Sequence, residues 1–269
     1  MTISLKNLLL AGCGIFMLLI AFLAYAMKLR IQNTPTSKIR SIAMGPVEIY
    51  GEVVPLEGSL LKSPITNHDC VYWEYVVESN DGKGWQIVTH KEGSALFMLR
   101  DETGSVLVDP KGARIELSEK YAHYSAFGIP KQFKHIFQQS AFMTLMTIGQ
   151  TRIKEFYIAP GEKLYIYGRA GDNPYKTEGT SLTNVEGIMI QKGSMFDFFY
   201  ISDKPEKLIL KEYSEIFLLF LLAGLGSIIL NFIDINSLIA SVIIVGIGLI
   251  MIALSRIFMK QTPRFSIPI

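Results

Sequence analysis

Three stretches without a single charged residue decide what this chain can be. Leu8 to Met27 runs for twenty residues, Ile216 to Ile233 for eighteen and Ile235 to Ser255 for twenty-one, and none holds Asp, Glu, Lys, Arg or His. At about 1.5 Å of rise per residue, each approaches or reaches the roughly 30 Å of a hydrocarbon core. A soluble core helix rarely has to be apolar on every side over that length. The sequence therefore predicts three transmembrane helices: one at 8–27, one at the end of an amphipathic lead-in over 204–233, and one at 235–255. A mean hydropathy of +0.31 with only 19% charged residues agrees.

Basic residues set the expected sidedness. Lys28, Arg30, Lys38 and Arg40 follow the first run, Lys204, Lys207 and Lys211 precede the second, and Arg256, Lys260 and Arg264 follow the third. The link between the last two carries only Asp234. Positive charge stays on the side of insertion, so residues 28–203 and the basic tail 256–269 are expected to be cytoplasmic, with the N-terminal tail 1–7 outside. Two processing signals compete for the first run. Ala24-Tyr25-Ala26 fits signal cleavage after Ala26, which would waste the basic residues that follow. Leu10-Ala11-Gly12-Cys13 resembles a lipobox, but the apolar stretch before it is short, and a buried thiol is the simpler reading of Cys13.

The part between the runs reads as strands. After a linker at 28–40, the domain 41–203 alternates at Val47–Val54, Cys70–Glu78, Trp85–His90, Leu96–Leu99, Ser105–Val108, Ala113–Leu117, Arg152–Ile158, Lys163–Tyr167, Val185–Gln191 and Phe196–Ile201. Asn80-Asp81-Gly82-Lys83-Gly84 and Asp101-Glu102-Thr103-Gly104 mark hairpin turns between them. This predicts a mainly-β domain, barrel- or sandwich-like, because so many short strands must hide their edges. Aromatic residues from Tyr121 to Phe142, including Tyr124, Phe127, Phe133 and Phe137, recur at helical spacing and predict a helical insert over 118–150. Asp203-Lys204-Pro205-Glu206 reads as a capping box that starts a helix running unbroken into the second span. Two pieces look alike, Glu48–Glu52 and Tyr165–Arg169, as a duplicated unit would.

Chemistry is sparse. A net charge of +2 without basic stripes predicts no nucleic-acid partner. His68, His90, His123 and His135 are scattered and one soluble cysteine, Cys70, completes no zinc set, so no metal and no cofactor is expected. His68-Asp69-Cys70 suggests a nucleophile cluster, yet neighbours on a strand face opposite ways, which leaves Cys70 as a core residue. Asp101 and Glu102 read as solvated turn acids, and no catalytic residue is assigned. Spans without ionisable groups also argue against transport. Tyr72, Trp73, Tyr75 and Trp85 are the candidate partner-binding residues, as aromatic anchors. Alternation places Tyr72 with Glu74 on one face and Trp73 with Tyr75 on the other. One pair should be core, and the pattern leaves open which.

Several of these segments, in this order, resemble the GIDE domain, also called the beside-a-membrane domain, of the mitochondrial ubiquitin ligase family. They are Val47-Glu48-Ile49-Tyr50-Gly51-Glu52-Val53, Leu61-Lys62-Ser63-Pro64 with Cys70-Val71-Tyr72, Leu96 to Pro110, and Glu155 to Gly168, which together span about residues 40–170. The resemblance implies a domain that binds partners beside a membrane. In the ligases a RING follows the last span, with about eight Cys and His ligands around two zincs. Here no cysteine follows Cys70, so the resemblance is to a RING-less, prokaryote-type relative, and ligase activity is not expected to carry over. The expected function is a non-catalytic, membrane-anchored protein-binding or scaffold module. Its expected partners are the bilayer and a membrane or cytoplasmic protein, with a component of a ubiquitin-ligase-like system as the alternative.

Overall fold

A computed structural model describes residues 5–80, 82, 84–126, 129, 133, 149–175, 187–194 and 198–232. Thr34–Pro205 forms one compact unit, and the described parts of the flanking segments form another.

The unit Thr34–Pro205 is mainly β. Its strands are β1 (Gly45–Pro55), β2 (Leu61–Lys62), β3 (Asp69–Cys70), β4 (Tyr72–Asn80), β5 (Trp85–Ser94), β6 (Phe97–Arg100), β7 (Ser105–Val108), β8 (Arg114–Glu116), β9 (Tyr121–Ser125), β10 (Gln150–Ile158), β11 (Lys163–Asp172), β12 (Ile188–Gln191) and β13 (Tyr200–Ser202). The order β1-β6-β7-β12-β11 closes on itself through the β1–β11 pairing, which makes a five-stranded barrel, and β13 and β8 extend the sheet from β11. Closure leaves those strands no free edge.

Strand β1 belongs to two neighbours. Gly45–Glu52 pairs with β11, and Glu52–Pro55 pairs with β6. The crossing brings backbones close at Gly51, where a Cβ would lie 2.6 Å from the Arg100 carbonyl oxygen, so the position needs glycine. The two look-alike segments turn out to be partners across this seam: Glu48 sits opposite Tyr167, Ile49 opposite Ile166 and Tyr50 opposite Tyr165. Val47, Ile49, Val53, Phe97, Leu99, Val106, Val108, Leu164, Ile166 and Ile190 fill the interior.

A four-stranded antiparallel sheet, β5-β4-β10-β9, packs on the barrel through Tyr72, Val76, Phe156 and Ile158. Its far face carries a second cluster of Tyr75, Val77 and Ile153 with Phe133, flanked by Ile65, Trp73, Tyr121 and Ile129. Tyr121–Ser125 is therefore a strand, correcting the expected helix at the start of the 118–150 insert. Pairing with β10 from Thr151 to Glu155 overrides the helical spacing of Tyr121 and Tyr124. Phe133 serves as core, while Phe127, Phe137 and Phe142 lie outside the described residues.

The other unit holds α1 (Leu5–Gln32) and α2 (Glu206–Phe232). The helix expected after residue 203 does run unbroken through residues 216–232. Asp203, however, does not head it. Its Oδ2 accepts the Ser118 amide at 2.8 Å, which ties down the chain between β8 and β9. The two helices are antiparallel, since Leu10 meets Ser227, Gly14 meets Gly224 and Tyr25 meets Phe217. A Cβ on Gly14 would come within 3.2 Å of the Gly224 carbonyl, and Ser227 Oγ donates to the Leu10 carbonyl at 2.9 Å. Small residues admit this backbone approach. One described helix, at Leu10–Gln32, is long and apolar enough to cross a membrane or to act as a signal sequence. The expected third span, 235–255, and the tail 256–269 lie outside the described residues.

Candidate binding surface and a buried carboxylate cluster

Hairpin β4–β5 carries every candidate anchor. Tyr72 and Tyr75 are each only 2% exposed. Tyr72 points into the barrel-side core and Tyr75 into the far-side cluster, so both faces of β4 are buried and neither tyrosine is available as a surface anchor. Burial also raises the pKa of the Tyr75 phenol. Trp73 stacks on Tyr75, with ring centroids 5.9 Å apart, and covers Gly93, where a Cβ would lie 2.6 Å from the indole. Trp85 alone of the four stands at the surface, 36% exposed. The Arg152 guanidinium lies 4.6 Å over its ring, with Tyr124 at 5.9 Å. Burial works against the Arg152 charge, but the ion pair with Glu78 outweighs it and raises the pKa. Lys154 completes the network, 3.7 Å from both Glu78 and Glu119. Ile87 is half exposed beside Trp85 on β5. Among the described residues, β5 pairs with β4 on one side only, so its other edge is open.

One face of the same hairpin gathers charge inside. Glu74 is fully buried and stands directly opposite Glu92, with His90 two residues before Glu92 on the same side of β5. Glu74 Oε1 lies 3.0 Å from His90 Nε2. The Tyr72 hydroxyl lies 3.1 Å from Glu74 Oε2 and 3.0 Å from Glu92 Oε2. One donor atom from each of Glu74, His90 and Glu92 falls within 4.8 Å of the others, and among the described residues this is the group able to hold a metal ion. The sequence showed four scattered histidines. Only the β4–β5 register reveals that His90 and Glu92 face Glu74, and the alternation His90-Lys91-Glu92 opposite Glu74 was the available signal.

A second buried carboxylate and the remaining sequence candidates take structural roles. Glu155, also fully buried, accepts the Ile65 amide at 2.7 Å and the Thr66 amide at 3.1 Å, and Ser63 and Thr66 donate their hydroxyls to it. It thereby organises the loop between β2 and β3. Burial first, and the Glu155 charge second, pushes the Cys70 thiol up to about 12, so it stays protonated and unreactive at neutral pH. Its neighbours are engaged elsewhere: Asp69 with Lys62 at 2.6 Å, and His68 stacked on Tyr157. Asp101 is the acceptor of its turn, taking the Thr103 amide at 2.7 Å, the Gly104 amide at 3.0 Å and the Ile39 amide at 2.9 Å. Burial opposes its ionisation, but these hydrogen bonds win and lower its pKa. Glu102 pairs with Lys38 in solvent.

Among known families, the model described as GIDE, E3 ubiquitin ligase, matches residues 74–231, more than half of the chain. The match begins on β4, beyond the first segments of the sequence resemblance, and continues through α2. No curated protein and no solved structure matches the chain.

Proposed function

The chain belongs to the GIDE family, and from that premise we propose that it is a non-catalytic, membrane-anchored module that binds a protein partner at the cytoplasmic membrane face. The observation that carries the binding reading is strand β5. Among the described residues no strand pairs with its outer edge, which offers backbone donors and acceptors to an extended segment. Trp85 and Ile87 are exposed along it, and the Arg152 guanidinium on Trp85 holds the indole in place. A rigid aromatic at a strand edge is the kind of group that concentrates binding energy.

The helices support the anchoring. Leu19, Phe22 and Leu23 on α1 and Leu218 and Leu222 on α2 are each more than half exposed. Surface of that kind is uncommon in water and ordinary in lipid. With the third apolar run at 235–255, the reading is a three-span protein with its strand domain and C-terminus on the cytoplasmic side.

Two experiments test this. Full-length protein purified from its own membranes with bound proteins is compared with Trp85→Ala/Ile87→Lys. A partner lost from the variant supports the β5 surface, and identical captured sets from both proteins overturn it. Protease added outside intact cells should spare the strand domain and cut it only after permeabilisation. Cleavage in intact cells would reverse the assigned sidedness.

The family description favours a second reading, ubiquitin transfer. A RING needs about eight Cys and His ligands for its two zincs. These 269 residues hold two cysteines and four histidines, and Cys13 and Cys70 fall in different units, so they do not fit that centre. Transfer would then run through a partner. Purified chain added to activating enzyme, ATP, a conjugating enzyme and ubiquitin should form no more ubiquitin chains than the mixture without it, and a clear increase would establish the enzymatic reading.

A further inference from the structure

We propose that Glu74, His90 and Glu92 form a binding site for one divalent transition-metal ion of the zinc class on the β4–β5 hairpin. The first argument is the pairing itself. Like charges directly opposite in an antiparallel pair repel, and a buried carboxylate is costly to keep ionised. Yet the chain sets Glu74, with no exposed surface, directly across from Glu92. A cation between them turns that repulsion into attraction.

The second argument is a shared hydroxyl. The Tyr72 hydroxyl touches one oxygen of each carboxylate, at 3.1 and 3.0 Å, but it has a single proton to donate. The shared hydroxyl aims one oxygen of each carboxylate at a common point, and with a metal ion in reach of both carboxylates Tyr72 orients the ligands from behind as a positioning residue.

The third is the donor set. One imidazole nitrogen and two carboxylate oxygens suit zinc, and the imidazole disfavours magnesium and calcium. Donors around a tetrahedral ion with bonds of about 2.1 Å stand roughly 3.4 Å apart. The three atoms here already lie within 4.8 Å of one another, and His90 and Glu92 sit on the exposed strand, where their side chains can close the remainder. Bound metal would clamp β5, the strand that carries Trp85, to β4.

The test uses chelator-treated full-length protein in detergent, titrated with zinc and followed by calorimetry. One equivalent per chain is expected, with affinity falling at least about tenfold in His90→Gln and in Glu92→Gln. His68→Gln should bind as the wild type does. The melting temperature should rise with zinc in the wild type and not in Glu92→Gln. X-ray absorption at the zinc edge reads the ligands without any variant: nitrogen and oxygen donors at about 2.0–2.2 Å with an imidazole signature are expected. Sulfur donors, substoichiometric binding, or unchanged affinity in both ligand variants would each overturn the site.

Discussion

The barrel and the four-stranded sheet pack against each other in one domain, yet they bury different chemistry. The barrel interior is Val, Ile, Leu and Phe, and the described strands that line it bury one charged residue, Glu48, which accepts the Thr36 hydroxyl. On the sheet, neighbouring strands β4 and β10 bury five charged residues, Glu74, Glu78, Arg152, Lys154 and Glu155. A closed barrel has no edge and needs few specific polar contacts. A sheet that does not close on itself among the described residues gains register from such contacts, because every buried charge must find its partner and a slip of one residue strands them all. The difference teaches that stability and specificity are housed in adjacent layers of one domain.

That contrast can be broken or sharpened by unfolding full-length variants in urea in detergent, with Trp73 and Trp85, the only two tryptophans, as reporters. Phe97→Ala, at a barrel position with no exposed surface, is expected to cost about 3–5 kcal/mol through lost burial and a cavity. A loss below about 1 kcal/mol would mean the barrel is not the stabilising layer. Arg152→Ala leaves the buried Glu78 only its longer 3.7 Å contact with Lys154 and should cost about 3 kcal/mol. The triple replacement Arg152→Met/Glu78→Leu/Lys154→Met, which removes the whole buried network, should recover most of that. Failure to recover would show that the network supplies stability as well as register. Glu155→Ala removes the acceptor of the 63–66 loop and should cost about 2–3 kcal/mol. Hydrogen exchange should then quicken at the Ile65 and Thr66 amides.

Asp101 gives the smallest effect and a pH signature. Asp101→Ala should cost about 1–1.5 kcal/mol at neutral pH. The folded pKa lies below the ordinary 3.8, so the aspartate stabilises the fold above that value and loses its contribution as pH falls through the lower folded value. The gap between wild type and Asp101→Ala should therefore narrow only in acid below about pH 4. A gap that persists there would mean the turn does not depend on the ionised carboxylate.

Much of this was written in the residues. Alternation and turn chemistry located most strands, Ser105–Val108 to the residue, and the helix after residue 203 was legible from its uncharged run. The aromatic series beginning at Tyr121 misled, because spacings near three and four fit a helix face and do not reveal a waiting partner strand. Asp203 misled for a related reason: an acid three residues before a glutamate looks like a cap until a distant amide, Ser118, claims it. The binding candidates were narrowed rather than found, since alternation shows that Tyr72 and Tyr75 face opposite ways but not that both faces are covered.

The sequence alone determined the quantities that depend on local composition: which runs prefer hydrocarbon, where strands begin and turn, and that two cysteines cannot build a paired zinc centre. Tertiary structure decided what depends on pairing across distance. It closed β1 onto β11, buried both sides of β4 and left Trp85 at the surface. It also set Glu74 against Glu92 and His90, because register is fixed only when strands meet, and a single strand's pattern carries no record of its partner.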